Sequence, residues 1–154
     1  MSHHTASTHW QRAEGEAFVD KRYHRRHLLR FDGGAEWAGS SSPHVVRVPF
    51  SDPSAVDPEE ALIASLSSCH LLWFLDYASR AGLCVEAYDD EAVGEMGEIA
   101  PGRVGITRVT LRPRVRFSTP VDAQAHAHLH HQAHESCYIA NSVRCEVVCE
   151  PALA

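Results

Sequence analysis

The apolar pattern of the chain centres on residues 57–82 (DPEEALIASLSSCHLLWFLDYASRAG), which read as one long helix. Leu62, Ile63, Leu66, Leu71, Leu72, Trp73, Phe74, Leu75 and Tyr77 nearly encircle its second half, so burial is expected on most sides. Asp57 suits the N-cap and Pro58 the first helical position. Glu60, three residues after Asp57, resembles the second half of a capping box. Gly82 supplies a left-handed stop. About 24 residues span about 36 Å at 1.5 Å per residue. That is the width of a small domain, so the rest of the chain must pack around this helix, the more easily with a second subunit. Ser65, Ser67, Ser68, His70 and Asp76 interrupt the run, which reads as too polar for a membrane span.

Around it the pattern is mostly extended. Residues 1–7 read as a flexible N-terminus and 8–154 as a single domain. Two strands are expected within 8–31, the better at 23–31 (YHRRHLLRF), before the turn signal Asp32-Gly33-Gly34. Residues 44–50 (HVVRVPF) read as a short strand, with Pro49 at an edge or strand end. Residues 83–93 are strand-like, and 94–105 hold a hairpin loop around Pro101-Gly102. Residues 106–117 alternate well, with Pro113 as the point where the register shifts. Arg108, Arg112, Arg114 and Arg116 form a solvated strand face. A second helix, rich in Ala and His, opens at Pro120–Asp122 and runs to about Glu135 or Cys137. Residues 139–149 close the chain as a strand. The order predicts an α+β fold, with antiparallel sheet packed on the helices.

A chain of 154 residues suits one domain. Net charge is −6 with histidines neutral, which argues against a nucleic-acid surface. The start, MSHHTASTHWQR, has no apolar segment of the signal-peptide kind. Five cysteines at irregular spacing do not form a secreted disulfide framework. A reducing, cytoplasmic setting is expected, with no membrane partner.

Among the cysteines, Cys84 reads as a buried filler. Cys145 and Cys149 share a strand face but lie about 13 Å apart, too far to bridge or to hold one metal together; both read as structural. Cys69, taken alone, is a small core residue. Cys137 stands in HESCYIANS, where helix gives way to strand. Spacing does not say whether Cys69 and Cys137 meet. A reactive thiol needs its thiolate, and hence a nearby cation or a helix N-terminus. Cys69 is some twelve residues inside its helix, beyond the reach of the dipole. Its cation must come from Arg25, Arg26, Arg30, Arg47 or the adjacent His70. His126, His130 and His134, with His131 beside them, share one helical face; His130 and His134 could bind zinc. No HExxH pattern occurs, and the simplest reading is a polar, solvated face.

The runs PEEALIASLSSCH (58–70) and HESCYIANSV (134–143) resemble the OsmC/Ohr family of thiol peroxidases. Glu59 stands ten residues before Cys69, as the family's Pro-Glu pair does before its first cysteine. Cys137 matches the second cysteine, near the end of a late helix. RYHRRHLLRFDGG and SSSPHVV look like one OsmC-like subgroup, and the resemblance covers residues 20–150. It implies a cysteine-based peroxidase for organic hydroperoxides or hydrogen peroxide, with Cys69 peroxidatic and Cys137 resolving. Glu59 carries over by motif; the arginine is Arg25, with Arg47 second. No cofactor and no metal are implied beyond an external thiol, dithiol or lipoyl-type reductant. The implied fold is OsmC-like: antiparallel sheets wrapped around the long central helices of an intertwined homodimer, with active sites at the interface. Tyr138 stands where many members have proline, a departure at the turn beside the second cysteine. The alternatives are a metal-binding or non-catalytic dimeric stress protein that uses the His-rich helix. Geometry adds a demand. Glu59 and Cys69 are about 15 Å apart and about 80° around a continuous helix. A Glu59–arginine–Cys69 cluster therefore expects a broken helix or a site shared between subunits.

Overall fold

A computed structural model describes residues 2–153. The chain divides into two compact units, the first ending at Ala61 and the second beginning at Leu62.

In the first unit, β1 (Ala6–His9), β2 (His27–Phe31) and β3 (Glu36–Gly39) form an antiparallel sheet in that order. β1 begins within the stretch expected to be flexible: Ala6 pairs with Phe31 and Ser7 with Arg30. β2 starts at His27, four residues later than predicted. Ahead of it, Tyr23 stacks on Phe18 at 4.6 Å and meets Trp10 at 5.6 Å. That aromatic cluster, not a ladder, holds the segment. Gly34 closes the β2–β3 turn with φ +87°, the left-handed geometry that glycine adopts without a steric cost.

Residues 44–50 are not a strand. The N–H groups of Val45 and Val46 both donate to the Ser42 carbonyl, at 3.0 and 2.9 Å, and that of Phe50 to Arg47 at 3.0 Å. Successive turns take the donors that a ladder needs, and Pro43 and Pro49 have none to offer. The chain then returns to β3. Val56 N–H donates to Ala38 at 2.9 Å and Ser40 N–H to Val56 at 3.1 Å.

α1 (Pro58–Arg80) is unbroken over 23 residues. Its start is the capping box read from the sequence: Glu60 N–H donates to Asp57 Oδ1 at 2.7 Å, and Asp57 N–H to Glu60 Oε2 at 3.0 Å. Its end is a Schellman motif. Gly82 has φ +71°, Leu83 N–H reaches the Ala78 carbonyl at 2.9 Å, and Gly82 N–H reaches Ser79 at 3.0 Å. The unbroken helix removes one of the two expectations above, a break between Glu59 and Cys69.

The helix is buried on one side only. Leu66, His70, Phe74 and Ala78, four residues apart, are the buried row, whereas Leu72 on the opposite face is 64% exposed. By length and hydropathy α1 also meets the requirements of a membrane span, contrary to the sequence reading. Its packed row is that of a core helix. Leu66 packs with Val109 and Leu111. Phe74 and Ala78 pack with Val115, Leu129 and Ala133.

The second unit adds β4 (Val85–Asp90), β5 (Val93–Ala100), β6 (Arg103–Leu111), β7 (Pro113–Phe117), α2 (Ala123–Ser136), β8 (Glu146–Cys149) and β9 (Ala152–Leu153). The predicted strand 106–117 splits at Arg112, whose N–H donates to Asp90 Oδ1 at 2.6 Å, while buried Pro113 carries no N–H. The halves join different sheets, β5-β6-β8 and β4-β7-β9. Both are mixed rather than antiparallel, because β8 runs parallel to β6 and β9 parallel to β7. The intervening α2 is the crossover that parallel pairing requires. β8 is shorter than expected, since Ala140–Ser142 form a 3-10 turn. The strand-face arginines are exposed and ion-paired, for example Arg108 with Glu146 at 3.2 Å and Arg114 with Glu91 at 2.8 Å. Each such pair contributes about 1 kcal/mol at most.

Cys84 is exposed, not buried as expected. After the helix stop, Leu83 and Val85 turn toward the core cluster, and alternation sends Cys84 outward. Leu66→Ala is expected to cost about 3–5 kcal/mol in denaturant unfolding, and Cys84→Ser less than about 0.5 kcal/mol. A Cys84→Ser cost near that of Leu66→Ala would contradict this packing.

Candidate active site

Cys69 lies in the middle of α1 and is half-buried; Cys137 is buried, at 1% exposure. Cys137 is the C-cap of α2, with extended φ and ψ. Its N–H donates to the His134 carbonyl at 3.2 Å, and its carbonyl accepts from Asn141 at 3.0 Å. Ala140 N–H points at its sulfur at 3.4 Å. The far end of α2 is fixed by Asp122, which accepts from Ala125 N–H at 2.8 Å.

The fold brings the two side chains near each other: Cys69 lies close enough to Cys137 to raise the pKa of its thiol. Two further contacts hold the same segments. Tyr77 Oη and Ser136 Oγ are 2.7 Å apart, and Trp73 meets Tyr138 edge-on at 5.3 Å. Cys69, Trp73 and Tyr77 are spaced i, i+4, i+8, so one ridge of α1 meets three consecutive residues, Ser136 to Tyr138. Trp73 and Tyr77 pack against the core cluster, as the apolar pattern expects, and also hold the end of α2 against α1. Their four-residue spacing from Cys69 was the available signal.

Burial pushes the Cys137 thiol up to about 11, and the Cys69 sulfur beside it acts in the same direction. Cys137 therefore keeps its proton at neutral pH, and its S–H is available to Cys69.

Glu59 stands in the first turn of α1, about 15 Å from Cys69 along the continuous helix. Arg25 belongs to the first unit. Its guanidinium donates to the Lys21 carbonyl at 2.8 Å and lies 3.8 Å over the Tyr23 ring. Arg47 lies 5.8 Å over Phe50.

The histidine row of α2 is not the solvated face expected. His126 and His130 are buried, His134 is half-buried, and His131 is exposed. His130 Nδ1 is 3.0 Å from His70 Nε2, and its Nε2 is 3.1 Å from His126 Nε2. Phe74 stacks on His130 at 4.3 Å. Cys149 Sγ lies 3.6 Å from His70 Nε2 and 3.8 Å from His130 Nδ1. Burial lowers His70 to about 4 and His130 to about 3, helped by the neighbouring rings. Cys149, read as structural from the sequence, is thus the third member of a His70–His130–Cys149 cluster. Because burial keeps its ring neutral, His70 is not the cation that a Cys69 thiolate needs.

Cys84 and Cys137 differ in access: the first is exposed and the second buried. At pH 8 a thiol with a pKa of about 11 is ionised about one part in a thousand. Iodoacetamide on the native protein is expected to label exposed Cys84 ahead of Cys137, and guanidinium to erase the difference. Peptide mapping by mass spectrometry reads the order; early labelling of Cys137 would contradict its burial.

Residues 51–151 match the family model described as OsmC-like protein. An OsmC-like protein of unknown function from Vibrio cholerae O1 is 49% identical, with 99% of this chain and 100% of that one covered and a TM-score of 0.95. An organic hydroperoxide resistance protein from Elizabethkingia anophelis has the same fold at 17% identity and a TM-score of 0.70, over 100% of this chain and 96% of that one. So does an organic hydroperoxide resistance protein from Legionella pneumophila, at 15% identity and a TM-score of 0.70, over 100% and 98% of the two chains. No curated protein matches the chain. With the family match extending over both cysteine segments, the chain belongs to the OsmC-like protein family.

Proposed function

We propose that the protein is a thiol peroxidase for organic hydroperoxides, acting in a reducing, cytoplasmic setting. The observation that carries this reading is the meeting of the Cys69 ridge of α1 with the Cys137 segment, through Tyr77–Ser136 and Trp73–Tyr138, which sets the two thiols near each other. The Cys69 sulfur attacks the peroxide, the O–O bond breaks, and the alkoxide leaves as the alcohol. The sulfur is then a sulfenic acid. Cys137 attacks that sulfur, its thiol proton departs with the hydroxyl as water, and a disulfide joins the two residues. An external thiol, dithiol or lipoyl-type reductant restores both thiols by exchange and leaves oxidised.

Arg25 supplies the guanidinium that holds the thiolate and the charge developing on oxygen. Glu59 orients it. Because α1 is unbroken, this reading takes the protein to be a homodimer whose sites draw on both subunits. The exposed face of α1, with Leu72 64% and Leu75 38% exposed, supports that assembly, as an apolar face calls for cover.

One equivalent of an alkyl hydroperoxide is expected to consume two thiols in the wild type. Cys137→Ser stops at a sulfenic acid that a 1,3-diketone traps, and Cys69→Ser does not react. Unchanged wild-type thiols would overturn the proposal. Arg25→Met is expected to slow peroxide reduction by about 10²-fold, with Arg47→Met near wild type; the reverse order would move the role to Arg47. Leu72→Glu is expected to shift the dimer toward monomer in sedimentation, and an unchanged mass would remove this face from the assembly.

A further inference from the structure

We propose that His70, His130 and Cys149 form a binding site for a zinc-class divalent metal ion, separate from the Cys69–Cys137 pair. The donors come from three elements, α1, α2 and β8. The thiol pair uses none of them, so the inference stands independently of the peroxidase reading.

Distance is the first argument. His70 Nε2 and His130 Nδ1 are 3.0 Å apart, and Cys149 Sγ lies 3.6 and 3.8 Å from them. Zinc binds imidazole nitrogen at about 2.0–2.1 Å and thiolate sulfur at about 2.3 Å in a tetrahedron. The edges of such a tetrahedron are about 3.3 Å between nitrogens and about 3.6 Å between nitrogen and sulfur. The three donors already trace one face of it, to within a few tenths of an ångström.

The second argument is preparation. A metal needs imidazoles with a free lone pair, and each ring turns one nitrogen toward the other ring and toward Cys149 Sγ. For His130 the outer partner also fits, whereas His70 Nδ1 is buried without a hydrogen-bond partner. Ligating histidines use their second nitrogen to donate to a fixed acceptor. With Nδ1 of His130 on the metal, its Nε2–H faces His126 Nε2 at 3.1 Å. Phe74, stacked on His130 at 4.3 Å, holds the ring plane.

The third argument is access. A cavity lined by His130, His134, Val147, Val148, Cys149 and Pro151 reaches two of the three donors. His134 Nδ1, buried and without a hydrogen-bond partner, lines it. Water entering by this cavity would supply the fourth ligand. One imidazole pair with one thiolate suits a borderline ion such as zinc rather than calcium or magnesium, which take oxygen. On binding, the Cys149 S–H bond is replaced by a metal–sulfur bond and the proton passes to solvent.

The test is titration of the full-length, metal-stripped, reduced protein with Co²⁺ and then Zn²⁺. One Co²⁺ per chain is expected, with tetrahedral d–d bands and a near-ultraviolet thiolate-to-cobalt band that Zn²⁺ bleaches. Cys149→Ser loses the thiolate band, whereas Cys69→Ser and Cys137→Ser keep it. His126→Gln, which removes only the outer partner, weakens binding by about 10–100-fold. Circular dichroism of the nearly isosteric Cys149→Ser separates ligand loss from misfolding, and a folded variant without the band supports the site. Absence of a thiolate band in the wild type overturns the proposal. So does a band that survives in Cys149→Ser and disappears in Cys69→Ser.

Discussion

The second unit depends on how α1 is turned about its own axis. Its buried row of Leu66, His70, Phe74 and Ala78 joins one apolar cluster to the other. Burying a leucine or phenylalanine side chain contributes about 1.5–3 kcal/mol, and these lie on one side only. A rotation of the helix would expose them and bury Ser68 and Leu72 in their place. The Asp57–Glu60 box and the Gly82 stop fix the ends of the same rod. His70 is the polar member of the row, so its ring must find partners inside the protein. It finds His130 and Cys149.

From that one orientation two different sulfur environments follow. Successive helical residues point about 100° apart, so the adjacent Cys69 and His70 serve separate clusters. Cys69 faces the end of α2 and meets a thiol. His70 faces the interior and meets an imidazole and another thiol. Cys137 sits where the backbone leaves the helix, and Cys149 sits in a strand, held by ladder pairing to Leu111. Cys137 is anchored by a few cap and turn hydrogen bonds, Cys149 by a sheet.

How much of this was legible in the sequence follows from the range of each interaction. Both ends of α1 were legible, because a capping box and a glycine stop act within four residues. The split at Arg112 was half legible: Pro113 marked the spot, but the acceptor that draws Arg112 away is Asp90, in another strand. Residues 44–50 misled because β-branched residues carry strand propensity, while turns on Ser42 and Arg47 used the backbone donors first. The meeting of Cys69 with Cys137 was implied by family resemblance, not by spacing, since 68 residues separate them. The burial of His126 and His130 was hidden by their chemistry: histidine spacing suggested a face, and polarity assigned that face to water. Besides each other, these rings find His70 and Phe74 of α1 and Cys149 of β8, which no pattern within α2 reveals.

The short distance along α1 between its capped start and the adjacent Cys69 and His70 has a consequence for sequence change. Inserting or deleting one residue between Asp57 and Cys69 would rotate everything beyond it by about 100° and shift it by about 1.5 Å. The capped ends leave no slack to absorb that step, and Cys69 and His70 would leave their partners together. The loop before Asp57 has no such periodicity to respect. Length variation in descendants of this chain should therefore collect in the loop and be purged from the helix, even where every substitution within the helix is tolerated.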